Sequence, residues 1–438
     1  MSRLPKISGL RLLRLVPKLL RKPLPALQSV VEKHGRLIEF NGGKYQQLFF
    51  VSDPAAVKYI LKTNKDNFKR SPVIKALQPL LGNGIFISED ETWKSQRLAL
   101  KPAFHEQVIL DFEKVILQET HETIQQWREL TYSKNIESDV SLLMLRILAR
   151  TQFCQNIDLD FKEIQRAHVD VLKQTSIRNQ KVDFYHNKLR KRFGFQPKSN
   201  KPTKALEYLH TVATYIISYG RTHVNECSYW LKDMIVRHEP ESAIKDQILN
   251  FIFAGYDTTA SALSWTLYCL ATETEGQTAC RQEASKTPIE FSHIGKLSYI
   301  KNCIQESMRL YPPVWSIHRQ SVEADIVSGQ AFDAGSYFMI CSYTLHRDPD
   351  LWESPNSFDP LRFESEKMRG KAFQYIPFGQ GERVCIGQSL AIMEMQLILG
   401  VMLQQFEFSY SRRDAPDIIP GIIMKSKGGI WLDVKATS

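Results

Sequence analysis

The sequence predicts a single, mainly α-helical domain with a small β part. Apolar residues recur at helical spacing along most of the 438 residues, which is the pattern of amphipathic and buried helices. Short alternating runs near the start, after residue 313 and at the end of the chain predict strands. No Ser/Gly/Pro-rich linker, internal repeat or low-complexity run interrupts the chain, so nothing marks a boundary between two domains.

The predicted elements follow in chain order. Residues Leu37–Ser52 alternate around a Gly-Gly pair and predict a hairpin. The stretch Pro313–Tyr343 predicts short strands. Residues Asp348–Phe378, rich in proline, aspartate and aromatic residues, predict a long ordered loop, which is usually functional in a compact domain. Helical spacing predicts helices over Asp53–Lys62, Glu91–Ala99, Ile109–Glu129, Val140–Arg150, Tyr208–Tyr219, Ile244–Ala271, Leu297–Leu310 and Gln388–Gln405.

Residues 1–30 form a basic segment that we separate from the main domain, residues 31–438. Arginine or lysine interrupts every apolar run in it. A transmembrane helix needs ~20 mostly apolar residues and a signal peptide needs an unbroken apolar stretch, so neither is predicted. Two interpretations remain, a short helix that touches a membrane surface and a helix packed against the protein.

A second basic stretch, Tyr185–Thr203, contains a glycine and two prolines between predicted helices. Such composition predicts an exposed loop. A solvated connection, a lid over a pocket and a membrane-facing tip are the three roles that fit it.

The chain carries 57 lysines and arginines against 47 aspartates and glutamates, a net charge of +10. This balance favours a solvated basic surface, an acidic protein partner or a membrane surface. No basic run with interleaved aromatic residues indicates nucleic acid.

The seven cysteines are scattered and never form a C-x-x-C pair. This spacing argues against both a disulfide framework and a zinc cluster. Six of them are expected to be small buried hydrophobes in a reducing compartment.

The seventh, Cys385, lies in the glycine-rich stretch FGQGERVCIG, Phe378–Gly387. Its glycines permit unusual backbone angles and a close approach to a ligand. The N-terminus of the following helix and nearby Arg383 favour thiolate over thiol. A nucleophile, a redox thiol and a metal ligand all use a thiolate. Because no base motif or second cysteine is close, a single thiolate on an iron with four other ligands fits best.

Phe378, Gly381, Arg383, Cys385 and Gly387 match the pattern F-x-x-G-x-R-x-C-x-G. The loop resembles the haem-binding loop of the cytochrome P-450 monooxygenases. The resemblance implies the cytochrome P-450 fold, haem b (iron protoporphyrin IX) as cofactor and Cys385 as its axial thiolate ligand, which favours O–O cleavage. It also implies haem contacts by Trp93, Arg97, Arg319, Phe378, Gly379, Arg383 and Gly387.

Trp93 and Arg97 are spaced one helical turn apart, so they share a face. Amphipathic packing alone explains such a pair. The resemblance instead places both at a haem propionate, with Arg319 and Arg383, through charge-assisted hydrogen bonds. Many family members have glycine three residues before the tryptophan. Asp90 stands there, and we expect this difference to affect a turn and not the chemistry.

The segment AGYDTT, Ala254–Thr259, interrupts a long apolar helix with a glycine, an acid and two threonines. Threonines inside a helix hydrogen-bond to carbonyls and bend it. Close helix packing with a solvated aspartate is the plain interpretation. The resemblance implies that a gap at Gly255 accepts dioxygen, that Thr258 steadies the iron-bound oxygen, and that Asp257 helps to relay protons.

Glu306 and Arg309 form an E-x-x-R pair, which on any helix surface contributes only ~0.2–0.5 kcal/mol. The family resemblance adds Arg362 and predicts a structural Glu-Arg-Arg triad that fixes the long loop before Cys385.

These features together predict a haem-thiolate monooxygenase that inserts one oxygen atom from O2 into an apolar organic substrate, such as a fatty acid, a terpenoid or another natural product. Electrons are expected from a separate ferredoxin or flavodoxin type donor that docks on a basic face with Lys101. The alternatives are a haem-thiolate isomerase or dehydratase, a peroxide-driven hydroxylase and a non-catalytic haem protein. The acid–alcohol pair argues against the first two alternatives.

The resemblance places five residues in the substrate pocket, namely Phe86, Phe253, Val314, Trp315 and Ile317. The helix with Trp93 and the segment His346–Trp352 look like the branch with fatty-acid hydroxylases, although a fold does not determine a substrate. The expected location is the cytoplasm, with loose membrane association through the basic N-terminal segment.

Overall fold

The computed structural model of the protein describes residues 5–41, 47–128, 133–175, 203–364 and 366–437. The predicted loop Tyr185–Thr203 and the Gly-Gly turn of the predicted hairpin therefore lie outside the described residues, apart from Thr203. Among the described residues, no helix is long and apolar enough to cross a membrane.

The helical body surrounds the helix Asp257–Thr272, which is buried along nearly its whole length. Apolar and small hydroxyl residues occur on all its sides, as expected for a helix enclosed by others. The α-helices of the described chain are Gly9–Arg21, Pro23–His34, Pro54–Lys58, Pro72–Lys75, Gln78–Leu81, Asp90–Leu100, Glu106–Leu110, Glu113–Gln125, Ile136–Leu148, Phe161–Thr175, Lys204–Thr222, Tyr229–Val236, Glu241–Gly255, Asp257–Thr272, Thr274–Lys286, Ser298–Leu310, Ser342–Leu345 and Gln388–Gln405.

Short turns of other helix types join these elements. Two five-residue π-helical segments occur at Tyr59–Thr63 and Ala149–Phe153. Single turns of 3-10 helix occur at Lys65–Asn67, Lys101–Phe104, Val224–Glu226, Phe291–Lys296, Pro360–Phe363 and Gly381–Arg383.

A six-stranded sheet lies beside the helical body, in the order β1-β2-β3-β9-β6-β4. Its strands are β1 (Lys6–Ser8), β2 (Leu37–Asn41), β3 (Leu48–Val51), β4 (Phe68–Arg70), β6 (Ser316–Ser321) and β9 (Tyr337–Cys341). Strands β2 and β3 pair antiparallel, so the predicted hairpin is present. Buried phenylalanines at positions 49, 68, 332 and 338 form the core beneath the sheet.

The remaining strands form small sheets at the edges of the helical body. One has the order β10-β13-β5, another pairs β11 with β12, and a third pairs β7 with β8. The bounds are β5 (Lys134–Asn135), β7 (Asp325–Val327), β8 (Gln330–Phe332), β10 (Phe406–Ser409), β11 (Ile418–Pro420), β12 (Met424–Ser426) and β13 (Trp431–Ala436). The pair β11–β12 is called the C-terminal hairpin below.

The N-terminal residues pack against the protein. Strand β1 adds a parallel edge to β2, and the helix Pro23–His34 buries Leu24, Leu27 and Val31 in the core. The preceding helix, Gly9–Arg21, contacts that core through half-buried leucines at positions 12, 15 and 19. Packing, one of the two expected outcomes for this segment, is therefore found.

The structure breaks two helices that helical spacing predicts as continuous. The predicted helix Ile109–Glu129 is interrupted after Leu110 and resumes at Glu113. The predicted helix Ile244–Ala271 is interrupted at Tyr256, where φ is −106°. Apolar periodicity continues across both interruptions, so the pattern alone hides them.

The described cysteines are free thiols. Five of the six outside the glycine-rich loop are buried, whereas Cys227 is half-buried. Two pairs are close in space, since the sulfur atoms of Cys154 and Cys227 are 2.6 Å apart and those of Cys280 and Cys303 are 3.4 Å apart.

Candidate active site

A large internal cavity brings together residues from across the sequence. The residues that line it include Cys385, Gly255 and Thr258, together with Trp93, Arg97, Arg319 and Arg383. Its walls come from the glycine-rich loop, the two central helices, the helix Asp90–Leu100 and the strand β6. The site residues expected from three separate motifs therefore share one space.

The loop Phe378–Gly387, called the cysteine loop here, is held by its glycines. Gly381 has φ of +78°, and a Cβ there would lie 2.0 Å from the carbonyl oxygen of Leu61. Gly379 also has positive φ, at +73°. Both positions require glycine because an L side chain is strained at such angles. The backbone N–H of Cys385 donates to the carbonyl of Phe378 at 3.0 Å and closes the loop.

Gly387 is different from the other loop glycines. Its φ is −89°, which any residue adopts, and a Cβ there would make an ordinary contact of 3.5 Å with Phe104. The expectation that this glycine is needed for its backbone angles is therefore wrong.

Burial raises the pKa of the Cys385 thiol, while the backbone N–H of Gly387 and the Arg97 guanidinium lower it. The side chain is accessible from the cavity but surrounded by protein. The net direction is opposite to the expectation that the loop by itself favours thiolate. Desolvation outweighs the helix terminus here, and the positive charge of Arg97 acts in the opposite direction, toward thiolate.

Four arginines line the same cavity, namely Arg70, Arg97, Arg319 and Arg383. Burial lowers the pKa of Arg319 to about 10, and the positive charge of Arg383 contributes. Burial, Arg319 and Arg383 together lower the pKa of Arg70 well below its usual range. These cations are desolvated and repel one another.

Nearby carboxylates only partly offset this charge. The negative charge of Glu89 raises the pKa of Arg70, Arg319 and Arg383. Glu89 also pairs with Lys75 at 3.2 Å. Glu382 is paired with Lys65. Arg97 donates to the carbonyl oxygen of Val384 at 2.7 Å, and Nε of Arg70 has no hydrogen-bond partner among the described residues. The described carboxylates therefore do not fully neutralise the four arginines, which favours an anionic ligand.

Haem, the group implied by the family resemblance, fits this donor set. It carries two carboxylates, which suit the under-neutralised arginines, and its iron takes one thiolate, which Cys385 supplies. Arg70 was not expected from the sequence. The pairing of β4 with β6 reveals Arg70, because it places Arg70 directly opposite Arg319.

Trp93 lies between two of these cations. The guanidinium carbon of Arg383 is 4.4 Å from the centre of a Trp93 ring, and that of Arg97 is 5.8 Å away. Both distances are within cation–π range. The indole therefore fixes the two guanidinium groups relative to each other.

The turn before Trp93 confirms the expectation for Asp90. Its φ is +51°, an angle that glycine adopts without strain. Asp90 also forms an ion pair with Lys69, which lowers the pKa of the Asp90 carboxyl. Asp90 is therefore a strained, paired turn residue, as the sequence predicts, and its charge also acts on Arg383 in the cavity wall.

The residues next to the helix interruption at Tyr256 lie in different surroundings. Thr258 lines the cavity and donates its hydroxyl to the carbonyl oxygen of Ala254 at 2.8 Å. Gly255 also lines it, and a Cβ there would be 2.6 Å from a methyl group of Leu148. Asp257 is fully buried and is not among the residues that line the cavity.

Asp257 is instead bound by residues behind the helix. Nζ of Lys425 lies 2.5 Å from its Oδ1, and Nδ1 of His168 lies 3.9 Å from its Oδ2. The second oxygen has no hydrogen-bond partner among the described residues. Neither partner was expected from the sequence, because both are far from Asp257 along the chain.

Glu306, Arg309 and Arg362 come together as predicted. Arg309 binds Glu306 with two contacts of 2.7 and 2.8 Å and is fully buried. Its remaining donors reach the carbonyl oxygens of His346, Pro355 and Ser357. Nε of Arg362 is 3.3 Å from Glu306. The triad therefore ties the helix Ser298–Leu310 to the long loop that precedes Cys385.

Four of the five expected substrate-pocket residues line the cavity, namely Phe86, Phe253, Val314 and Ile317. Trp315 does not. It is buried in the N-terminal core, and its indole N–H donates to the carbonyl oxygen of Gly421 at 2.8 Å. Neighbouring residues in an extended segment point to opposite sides, so Trp315 faces away from the cavity that Val314 lines.

Other apolar residues that sequence analysis missed complete the wall, namely Val73, Ile74, Leu77, Leu148, Ile422 and Ile423. Several polar side chains lie buried at the same cavity, among them Gln152, Asn250 and Glu394. Both amide atoms of Gln152 lack a hydrogen-bond partner among the described residues, and burial raises the pKa of Glu394 to about 8. The wall around Phe86 is mostly apolar, although the Arg70 guanidinium lies 5.0 Å from the centre of the Phe86 ring.

Comparisons with known proteins agree with this geometry. The family model described as Cytochrome P450 matches residues 12–432. Cytochrome P450 4A10 of Rattus norvegicus is 27% identical over 94% of this chain and 86% of its own length. Cytochrome P450 4B1 of Homo sapiens is 30% identical over 81% of this chain and 75% of its own. Taurochenodeoxycholic 6 alpha-hydroxylase of Sus scrofa is 28% identical over 89% of this chain and 82% of its own.

Proposed function

The chain belongs to the cytochrome P450 family, and from that premise we propose that it hydroxylates a large apolar substrate of the fatty-acid class. As a family member it is a haem-thiolate monooxygenase with the fold of that family. The observation that supports the substrate class is the apolar wall formed by Phe86, Val73, Ile74 and Ile422.

Two further points support a fatty acid. The segments around Trp93 and His346–Trp352 resemble the fatty-acid-hydroxylating branch of the family. The pig relative is named as a taurochenodeoxycholic 6 alpha-hydroxylase, that is, as a hydroxylase. An apolar wall stabilises the apolar part of a fatty acid by roughly 25 cal/mol for each Å² removed from water.

In this proposal the chain's residues hold the haem and supply protons. Cys385 would bind the iron, and Arg70, Arg97, Arg319 and Arg383 would hold the haem carboxylates. When bound, the haem iron supplies the activation of dioxygen. The Thr258 hydroxyl lies in the cavity wall with its proton donated to the carbonyl oxygen of Ala254, so its oxygen would accept a hydrogen bond on the cavity side. Asp257 moves protons from the solvent side of the helix toward Thr258.

The electron donor in this proposal is a separate acidic protein of the ferredoxin or flavodoxin type. A surface depression beside Phe378 and Gly379 of the cysteine loop includes Lys301 and Lys371, with Glu106 as its acidic member. Lys101 is exposed and directly follows the helix Asp90–Leu100 in the sequence. Together with the net charge of +10, these lysines favour an acidic partner.

Salt dependence tests the docking proposal. The rate of reduction by an acidic ferredoxin is expected to fall as ionic strength rises and to fall in a Lys301→Glu/Lys371→Glu variant. Lys427→Glu, an exposed lysine on another part of the chain, is the matched control. Reduction rates that change neither with ionic strength nor on charge reversal would exclude this surface as the docking site of the electron donor.

Loose membrane contact is proposed for the helix Gly9–Arg21. Its leucines at 12, 15 and 19 face the protein, while Val16 and Leu20 are 39% and 68% exposed beside exposed basic residues. An exposed apolar pair among basic residues suits an anionic lipid surface. Sedimentation with anionic vesicles should weaken in Val16→Glu/Leu20→Glu and persist in Val236→Glu, a control on another helix.

Isotope labelling tests the activity and its substrate class together. With dodecanoic acid, an electron-donor system and 18O2, the expected product is a hydroxy acid with one labelled oxygen atom. Product without the label, or equal product from peroxide in the absence of dioxygen, would favour the isomerase or peroxide-driven alternatives. A labelled product from a terpenoid but none from any fatty acid would keep the monooxygenase and overturn the substrate.

A further inference from the structure

The C-terminal hairpin connects the cavity with Asp257. Residues Gly421, Ile422 and Ile423, between its two strands, line the cavity. Lys425, two residues further on in β12, reaches Oδ1 of Asp257 at 2.5 Å. One short segment therefore contacts both the space for the substrate and the acid behind the helix.

The hairpin is anchored to the helix that carries Asp257. The hydroxyl of Ser261, one turn after Asp257, donates to the carbonyl oxygen of Met424 at 2.6 Å. The backbone N–H of Met424 donates to the carbonyl oxygen of Pro313 at 2.9 Å. On the other side of the strand, Ser426 hydrogen-bonds to Glu137. These bonds fix where the Lys425 side chain begins.

The charged and titratable groups around Asp257 come from four elements. Lys425 lies on β12, His168 on the helix Phe161–Thr175, Glu137 on the helix Ile136–Leu148, and Tyr256 at the helix interruption. Burial lowers the pKa of His168 to about 4, and its Nδ1 is 2.7 Å from the Tyr256 hydroxyl, so it is neutral at pH 7. Burial raises the pKa of Glu137.

Lys425 is therefore the cation that compensates the buried Asp257. The Asp257 side chain is 1% exposed, whereas that of Lys425 is 26% exposed and reaches solvent. Removing one partner of a buried ion pair leaves an uncompensated charge, and a buried carboxylate responds by taking up a proton. A protonated, immobile acid no longer accepts protons from water for transfer toward the cavity.

We infer that Lys425 is a positioning residue that keeps Asp257 ionised and oriented, and that it ties this acid to the hairpin that contacts the substrate. The inference rests on the monooxygenase function but concerns a residue that the function does not assign. It involves proton positions alone and requires no added oxidant or reductant.

The first test is infrared spectroscopy of the haem-containing protein as a function of pH, which requires no turnover. In Lys425→Met, an additional carbonyl band from protonated Asp257 is expected near neutral pH in the difference spectrum against wild type, and it should be absent in Lys425→Met/Asp257→Asn. Glu394, whose pKa burial raises to about 8, contributes to all three spectra and cancels in the difference. Lys425→Arg should restore the wild-type spectrum. Lys427→Met, an exposed lysine on the same segment, is the matched control and should also match wild type. No new band in Lys425→Met would overturn the inference.

The second test separates positioning from loss of structure. In Lys425→Met, the fraction of electrons that reach product should fall about tenfold, which corresponds to ~1.4 kcal/mol, and peroxide should rise. This fraction should recover as pH rises, because a higher pH favours the carboxylate form of the acid. The ligand-induced spectral shift with dodecanoic acid should be retained. An equal loss at every pH, or a loss of the spectral shift, would assign Lys425 a purely structural role.

The two tests also separate this inference from the proposed substrate class. If fatty acids give no product, the infrared test still decides the role of Lys425. If fatty acids give product and Lys425→Met shows no new band, the proposed function stands and the inference fails.

Discussion

Arg70 on β4 and Arg319 on β6 are register partners in an antiparallel pair, and both line the cavity. Like charges directly opposite each other on a sheet are destabilising. Here burial adds to the cost, because it lowers the pKa of both guanidinium groups. A bound dianion would offset this repulsion. We therefore expect the paired strands to be more stable with the cofactor bound than without it.

Arg70→Gln is expected to weaken haem binding. Loss of one charge-assisted hydrogen bond costs ~1.5–3 kcal/mol, or about 10–100-fold in affinity. Haem transfer to apomyoglobin measures this directly. Lys75→Gln, which removes an exposed lysine paired with Glu89, is the control. Unchanged haem transfer with a weaker affinity for dodecanoic acid would assign Arg70 to the substrate carboxylate instead.

Gly381→Ala is expected to abolish the strongly red-shifted Soret band that thiolate ligation gives to the reduced carbon monoxide complex of a haem protein, and Cys385→Ser should have the same effect. A Cβ at residue 381 would lie 2.0 Å from the carbonyl oxygen of Leu61, so the cysteine loop has to move. Gly370→Ala is the matched control, since its φ is +81° but no atom lies within 4 Å of a Cβ there. The control should lose only about 1–2 kcal/mol from backbone strain and keep the band. Equal behaviour of the two variants would contradict a steric role for Gly381.

Arg309→Met is expected to destabilise the fold far more than Arg362→Met. The first variant leaves Glu306 as a buried charge without its main partner, which costs about 3–5 kcal/mol. The second removes one contact of 3.3 Å while Arg309 remains, and should cost about 1 kcal/mol. Urea unfolding of the haem-containing protein measures both. Similar midpoints for the two variants would refute this ranking within the triad.

Phe86→Ala and Trp315→Phe distinguish the cavity wall from the neighbouring core. Phe86 packs against Phe253 at 5.5 Å in the wall, so its truncation should weaken dodecanoic acid binding about tenfold, or ~1.4 kcal/mol. Trp315→Phe loses the bond to Gly421 and should lower stability by about 1 kcal/mol. Its ligand affinity should stay within about twofold of wild type, or ~0.4 kcal/mol. Spectral titration and thermal unfolding measure the two effects, and the reverse outcome would place Trp315 in the pocket.

Local patterns predicted much of the fold and of the candidate site. The helix Gln388–Gln405 has the predicted bounds, and the hairpin of β2 and β3 is present. The helix interruption at Tyr256 escaped prediction because apolar spacing runs through it. The helix Phe161–Thr175, which carries His168, was also missed, although Ile164, Ala167 and Val171 recur in it at helical spacing.

The sequence by itself determined the chemistry, because the cysteine loop, the acid–alcohol pair and the E-x-x-R pair are each encoded by neighbouring residues. Only the tertiary structure decided which partners meet them. Lys425 binds Asp257 across 168 positions of the chain, and Arg70 faces Arg319 because two strands pair in one register. Trp315 turns away from the cavity for the same kind of reason, since the side to which an extended residue points depends on how its segment docks. Spacing along the chain carries no such information, because these contacts exist only after distant elements have packed.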